Sequence, residues 1–162
     1  NLTRNRLGPK GGAAIAEGLK GNSTLQSLNL LNNSLGDGAD AILSVASEMP
    51  QIITLCGIQP EQTDIAFSHL SLDAMDAKLL AFDLSRNQSV RTVNLAENQL
   101  CGLDDRNRGT YTTEGITRLC EALKGSAVTS LNLANNALCG VKFGEGTYTT
   151  EGITKLCEAL KG

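Results

Sequence analysis

Tryptophan is absent from this 162-residue chain, and Phe and Tyr bring the aromatic share to only 3%. A core of large rings is thereby excluded, and a hydrophobic content of 41% must pack through Leu, Ile, Val and Ala. There is no excess of positive charge: the net charge is −3 and the pI near 5.1. That balance leaves no electrostatic footprint for nucleic acid or an anionic membrane surface. Long apolar runs are missing too, none approaching the roughly 20 residues that span a bilayer. No charged segment followed by an apolar stretch marks a signal peptide, although the chain also opens without Met.

Cysteine is scattered and odd in number, at Cys56, Cys101, Cys120, Cys139 and Cys157. An even, evenly spaced set would suggest a secreted disulfide scaffold. The expectation here is reduced, mostly buried thiols in an intracellular, cytoplasmic protein. The triplets "NST" at Asn22 and "NQS" at Asn87 have the form of glycosylation acceptors. In a chain rich in Asn and Ser such matches arise by chance, and the modification belongs to secreted proteins.

What the chain does have is internal repetition. "LQSLNLLNNSL" (25–35), "VRTVNLAENQL" (90–100) and "VTSLNLANNAL" (128–138) share the template LxxLxLxxNxL, and "LTRNRL" (2–7) is the tail of another copy. The apolar residues at positions four and six of the template point inward from a short strand, while their neighbours point out. Position nine lies where the chain leaves the sheet, and an Asn amide there can satisfy backbone groups of a buried turn. Asn5, Asn33, Asn98 and Asn136 are therefore expected to form an internal ladder.

Between these strands lie helix patterns. "EGITRLCEALKG" places Ile116, Leu119, Cys120 and Leu123 on one face, and "GGAAIAEGLKG" sets Ile15 and Leu19 four apart. Gly21, Gly125 and Gly162 follow Lys in the position of C-terminal glycine caps, and Pro9 sits where a helix start tolerates it. The stretch "GTYTTEGITRLCEALKG" (109–125) recurs at 146–162 with Arg118 replaced by Lys155. Its "GTYTT" part belongs to an insertion of about ten residues between strand and helix, with a Thr expected near the N-cap.

Residues 52–84 fit the template less well. "QTDIAFSHLSL" (62–72) gives Ile65 and Phe67 as inward residues and Leu70 in place of Asn, a register that closes the spacing to Val90. "IITLCGIQPE", strand-like at Ile52 and Leu55, is then an insertion before the strand, with pairing of its apolar residues at the edge as the alternative.

A repeat of 28 residues with a full helix, from Asn5 to Asn33, resembles the ribonuclease-inhibitor-like class of leucine-rich repeats, which includes repeat domains of NOD-like receptors and Ran GTPase-activating protein. The resemblance covers essentially the whole chain. It implies an α/β fold, a curved horseshoe segment of a solenoid with a parallel concave sheet and convex helices. Residues 1–162 are expected to be a single array of about five units, part of a longer array.

No catalytic constellation, cofactor site or metal site is expected. His69 falls at position eight, an exposed rim position, without a poised partner. A Cys56–His69 pair has no geometry to support it, "FGEGT" at Phe143 lacks the Lys-Ser/Thr of a phosphate loop, and Asp104, Asp105 and Glu97 lack the alternation of a calcium loop. What remains is surface. The concave face should present Arg4, Gln26, Asn29, Asn32, Asp64, His69, Arg91, Asn94, Glu97, Asn132 and Asn135, with Tyr111 and Tyr148 as possible loop contacts. The expected function is a non-enzymatic protein-interaction scaffold with a protein partner. The alternatives are a GTPase-activating regulator of the Ran type and a structural spacer subunit in a larger assembly. Leu131→Ala is expected to cost about 2–5 kcal/mol as a core truncation, and Thr129→Ala within about 0.5 kcal/mol.

Overall fold

A computed structural model describes residues 1–104, 106, 108–142 and 144–161. The sequence readings at Asp105, Phe143 and Gly162 lie outside the described residues. The described elements are α1 (Gly8–Leu19), α2 (Gly38–Ser47), β1 (Asp64–Ala66), α3 (Ala74–Arg86), β2 (Thr92–Asn94), α4 (Glu114–Leu123), β3 (Ser130–Asn132), β4 (Val141–Lys142), β5 (Glu145–Gly146) and α5 (Glu151–Leu160). The fold is α/β with a parallel sheet of order β1-β2-β3, and each helix packs against the next in sequence.

Helix formation follows the apolar spacing. In α4 Ile116, Leu119 and Cys120 are buried and Leu123 is half-buried, the stripe that faces the hydrophobic core. Pro9 stands in the first turn of α1, where its missing N–H costs nothing. Helix α3 opens with a capping box: Asp73 accepts from the N–H groups of Met75 and Asp76, and Asp76 accepts from that of Asp73. Two end signals read differently. The Thr113 and Thr150 side chains make no cap; Thr112 and Thr149, one residue earlier, accept from the N–H of Glu114 and Glu151. Gly21 is left-handed, at φ +76°, but Gly125 is not, because Ser126 returns to the Leu123 carbonyl through both its N–H and its hydroxyl.

The sheet register sets Ile65 beside Val93 and Val93 beside Leu131. Residues 62–72 thus carry the template in the register that the spacing required, with Ile65 buried and Phe67 half-buried. The preceding segment corrects the sequence reading. It is no excursion: Ile53 N–H donates to Gln26, and Leu28 and Leu30 N–H donate to Thr54 and Leu55, so residues 53–55 pair with the strand at 26–30. Ile52, Leu55 and Ile58 are buried in consequence. The third unit is therefore split. Its first stretch pairs with the unit before and its second, β1, with the unit after.

The Asn ladder is present. Asn33, Asn98 and Asn136 are buried, while Asn5 is exposed. Each buried Asn donates its Nδ2 to the position-six carbonyl of the preceding template copy: Asn33 to Leu2 (2.9 Å), Asn98 to Phe67 (2.7 Å), Asn136 to Leu95 (2.8 Å). Its Oδ1 accepts backbone N–H from that same neighbour, Asn33 from Asn5 and Asn98 from Leu70 and Leu72. The turn around the Asn is left-handed at position eight in every copy, at Arg4, Asn32, His69, Glu97 and Asn135.

Burial is not uniform along the strands. Ile65 and Val93 are sealed, but Leu131 in β3 is only half-buried, since no strand lies beyond it among the described residues. Ile65→Ala is expected to cost about 2–5 kcal/mol, Leu131→Ala less, about 1–2 kcal/mol, and Thr129→Ala within about 0.5 kcal/mol. Urea titration of the three variants checks this order; equal costs at Ile65 and Leu131 would contradict the burial difference.

Candidate functional site

The open face of the sheet displays template positions two, three, five and eight. Position three forms the row Asp64–Thr92–Ser130, held in register by the parallel ladder. Asp64 is exposed, and hydrogen bonds from Thr63 and then Thr92 hold its carboxyl below the usual range. Gln26, at position two of the earlier copy, is exposed, and its carbonyl accepts the Ile53 N–H.

Position five carries Asn29, Asn94 and Asn132, and each has a local task. Its Oδ1 accepts the N–H two residues on, from Leu31 (3.2 Å), Ala96 (3.1 Å) and Ala134 (3.0 Å). This column therefore shapes the strand exit, the Asx-turn geometry that Asn offers. No partner for the three amide nitrogens occurs among the described residues, so those donors are available on the face.

Position eight holds the more individual side chains. His69 Nδ1 lies 3.3 Å from Glu97 Oε2, with both side chains exposed. Arg4 and Asn135 are exposed. Asn32 is drawn inward: its N–H donates to Asp76 and its side-chain amide to the Leu70 carbonyl. Arg91 is exposed but folds back on its own loop, its Nη1 donating to Gln88 (2.7 Å) and Val90 (3.3 Å) carbonyls.

The loop tyrosines part company. Tyr111 is half-buried, its hydroxyl donating to the Leu138 carbonyl at 2.8 Å and accepting the Gly152 N–H at 3.2 Å. It ties its own unit to the next and is spent as a contact residue. Tyr148, at the equivalent place, is 69% exposed.

Sequence reasoning missed three charged residues of α3, all buried. Asp83 accepts from the Thr54 hydroxyl and from the N–H groups of Leu55 and Cys56. Asp76 accepts from the Asn32 N–H, at the junction where Leu70 stands in place of a ladder Asn. Lys78 sits between carboxylates of the flanking helices, its Nζ 2.7 Å from Asp40 Oδ1 and 2.5 Å from Glu114 Oε1. Burial works against the Lys78 charge, but the hydrogen bonds and fields of Asp40 and Glu114 prevail and hold the ammonium above its ordinary value. Beside it a groove of about 540 Å³ opens between α2, α3 and α4, floored by Leu43, Ala81, Phe82 and Ala122.

Cys56, Cys101 and Cys120 are buried, and all five cysteines are free. Burial pushes the Cys56 thiol up and the Cys101 thiol up to about 12, which disfavours the nucleophilic thiolate. Asp104 is engaged by Arg108 through side chain and backbone and is held down at about 2. Among the described residues no group of three or more His, Cys, Asp or Glu side chains is placed to hold a metal ion. No helix is long and apolar enough to cross a membrane.

Comparison with known families places a Leucine Rich repeat model on residues 1–16. That stretch holds Leu2, Asn5 and Leu7 of the first template copy and most of α1. The match supports a leucine-rich repeat protein, and with it a role in protein interaction. No curated protein matches the chain.

Proposed function

We propose that the chain is a leucine-rich repeat solenoid of the ribonuclease-inhibitor-like class that acts as a non-enzymatic scaffold, taking a protein partner on the concave face of its parallel sheet. The observation that carries this reading is the exposed row at template positions three and eight. There Asp64, His69 and Glu97 interrupt short uncharged side chains at spacings fixed by the strand ladder. A stiff sheet presents those groups at little ordering cost, and the irregular residues are where specificity can reside. The free thiols, three of them buried, favour an intracellular setting for this role.

Crosslinking mass spectrometry in native extract identifies the partner and the face it touches. Against that partner, the double change Arg91→Glu, Glu97→Lys is expected to weaken binding at least about tenfold, the scale at which misplaced charge acts across an interface. Melting should move little, since both side chains are exposed. Undiminished binding by a folded double variant would rule out the sheet face.

A spacer role within a larger assembly is the second reading, favoured by the groove between α2, α3 and α4, whose apolar floor is rimmed by Arg118 and Glu121. It predicts crosslinks from the helices and none from the sheet.

A further inference from the structure

Neighbouring units are joined through their backbones wherever the template is whole. Leu2 and Arg4 N–H donate to the Asn29 and Leu31 carbonyls, and β1, β2 and β3 form one parallel ladder. The split third unit interrupts this. Residues 53–55 belong to the earlier ladder, and β1 opens the later one. Among the described residues no backbone-to-backbone hydrogen bond joins residues 1–56 to the part that starts with β1.

The bonds that cross this seam use side chains, and most come from α3. Asp83 takes the N–H groups of Leu55 (2.7 Å) and Cys56 (3.0 Å), Asp76 takes that of Asn32 (2.9 Å), and Lys78 reaches Asp40 of α2. Leu70 stands in place of a ladder Asn, and its carbonyl accepts the Asn32 amide. The helix layer is weak at the same place. Of the consecutive helix pairs, α2 and α3 touch least, and the groove of about 540 Å³ lies over them. One apolar core runs through both parts and keeps them stacked while the seam is closed. Buried side-chain charges let go once water reaches them, whereas each ladder keeps its own backbone bonds.

We propose that this seam is a hinge: residues 1–56 and the part that starts with β1 are two modules that separate by local opening, with residues 57–63 as the pivot and Asp76, Lys78 and Asp83 as the latch. Opening changes the distance from Arg4, Gln26 and Asn29 on one module to Asp64, His69 and Glu97 on the other, so a rigid partner spanning both would favour the closed form. The hinge does not require such a partner, and each reading can fail alone. Opening also gives Asp76 and Asp83 to water, where their carboxyls return to the ordinary range and release protons. It therefore becomes easier as pH rises through about 6 to 7. The titratable groups facing them are Asp73, beside Asp76, and the Cys56 thiol, beside both; Asp40 and Glu114 face Lys78.

Native-state amide exchange of the intact chain in low urea tests the hinge. The Asn32 and Leu55 N–H groups, bonded across the seam, should exchange by an opening that exposes little surface and costs less than global unfolding. Leu28 and Leu30, bonded to Thr54 and Leu55, and Leu95, bonded to Asn132, lie within one module each and should need a larger opening. Lys78→Met should speed Asn32 and Leu55 at least about tenfold, because a buried charge partner is lost. Val93→Ala, inside the later ladder, should speed Leu95 and leave Asn32 and Leu55 unchanged. From about pH 5 to about pH 8, with the intrinsic pH dependence of exchange divided out, the seam should open more readily. If Leu55 follows Leu95 in Val93→Ala, the seam opens only by global unfolding and the hinge is overturned. Exchange of Leu28 and Leu30 together with Leu55 also overturns it, since the whole earlier module then frays. So does an opening indifferent to pH, which takes the carboxylates out of the latch.

Discussion

Asp83→Ala is expected to lower stability by about 3–5 kcal/mol, because three donors lose their only carboxylate in a place that water does not reach. Residues 53–55 pair with the strand at 26–30, and the N–H groups of Leu55 and Cys56 turn instead to the Asp83 carboxylate. Asp83 supplies the missing acceptor from α3, and its buried carboxylate stands in for a backbone edge. Asp83→Asn should cost much less. One oxygen survives for Leu55, and the Cys56 N–H keeps the Thr54 hydroxyl oxygen at 3.1 Å. Urea unfolding of both variants separates these outcomes; equal losses would mean that the charge itself, not the acceptor geometry, holds the segment.

The same residue gives the fold a pH dependence with a definite sign. Burial raises the Asp83 carboxyl from 3.8 to about 6 despite the pull of its three donors. Burial first, and then the charge of Asp73, raise Asp76 to about 7. Across that range the folded chain binds protons that the unfolded chain has released, so stability falls as pH rises. The contribution is complete below the unfolded value of 3.8 and is lost as pH passes about 6 to 7. Asp83→Asn removes one of the two titrations, and a stability–pH curve that is less steep between pH 4 and 6 is the expected result.

How much of this was legible in the sequence follows from what a repeat pattern records. The Asn column is visible because every copy needs the same side chain at the same place, and the register of 62–72 follows from spacing alone. The split unit is different. Pro60 breaks the template in "IITLCGIQPE", and the strand character of 53–55 depends on Asp83, about 28 residues downstream. Within "AMDAKLLAFDLSR" the residues Asp76 and Asp83 lie seven apart, as polar residues of an exposed helix face also do. Only the neighbouring backbone reveals that they point inward. The left-handed turn at position eight was hidden for a similar reason. Its column holds Arg, Asn, His, Glu and Asn, a mixture that reads as surface variation although the backbone is constant. At the candidate face, the sequence located the exposed rows. It could not show that Asn32 and Arg91 are turned back on the fold, since their hydrogen-bond partners are carbonyls and a carboxylate of no fixed spacing.

Asn98→Ala is the companion test at the centre of the ladder, with an expected loss of about 3–5 kcal/mol. The Asn98 side chain is fully buried and joins two units: Oδ1 accepts from Leu70 and Leu72, and Nδ2 donates to Phe67, Leu95 and Ala96. Truncation takes this partner from the N–H groups of Leu70 and Leu72 and from the Phe67 carbonyl in a site that alanine cannot fill, while the Leu95 carbonyl keeps Asn136 and the Ala96 carbonyl keeps the His69 N–H. Asn98→Asp keeps the acceptor but removes the donor and buries a charge against carbonyl oxygens, so it should be no milder at neutral pH. Asn5→Ala provides the contrast. Asn5 is exposed, its Nδ2 reaching only Leu2 and Thr3 of its own unit, and water can replace both bonds, so the expected cost is within about 0.5–1 kcal/mol. If Asn5→Ala and Asn98→Ala shift the unfolding midpoint equally, the Asn column acts within each unit. A large difference places the stabilisation at the junction, where one amide completes the backbone hydrogen bonding of two units.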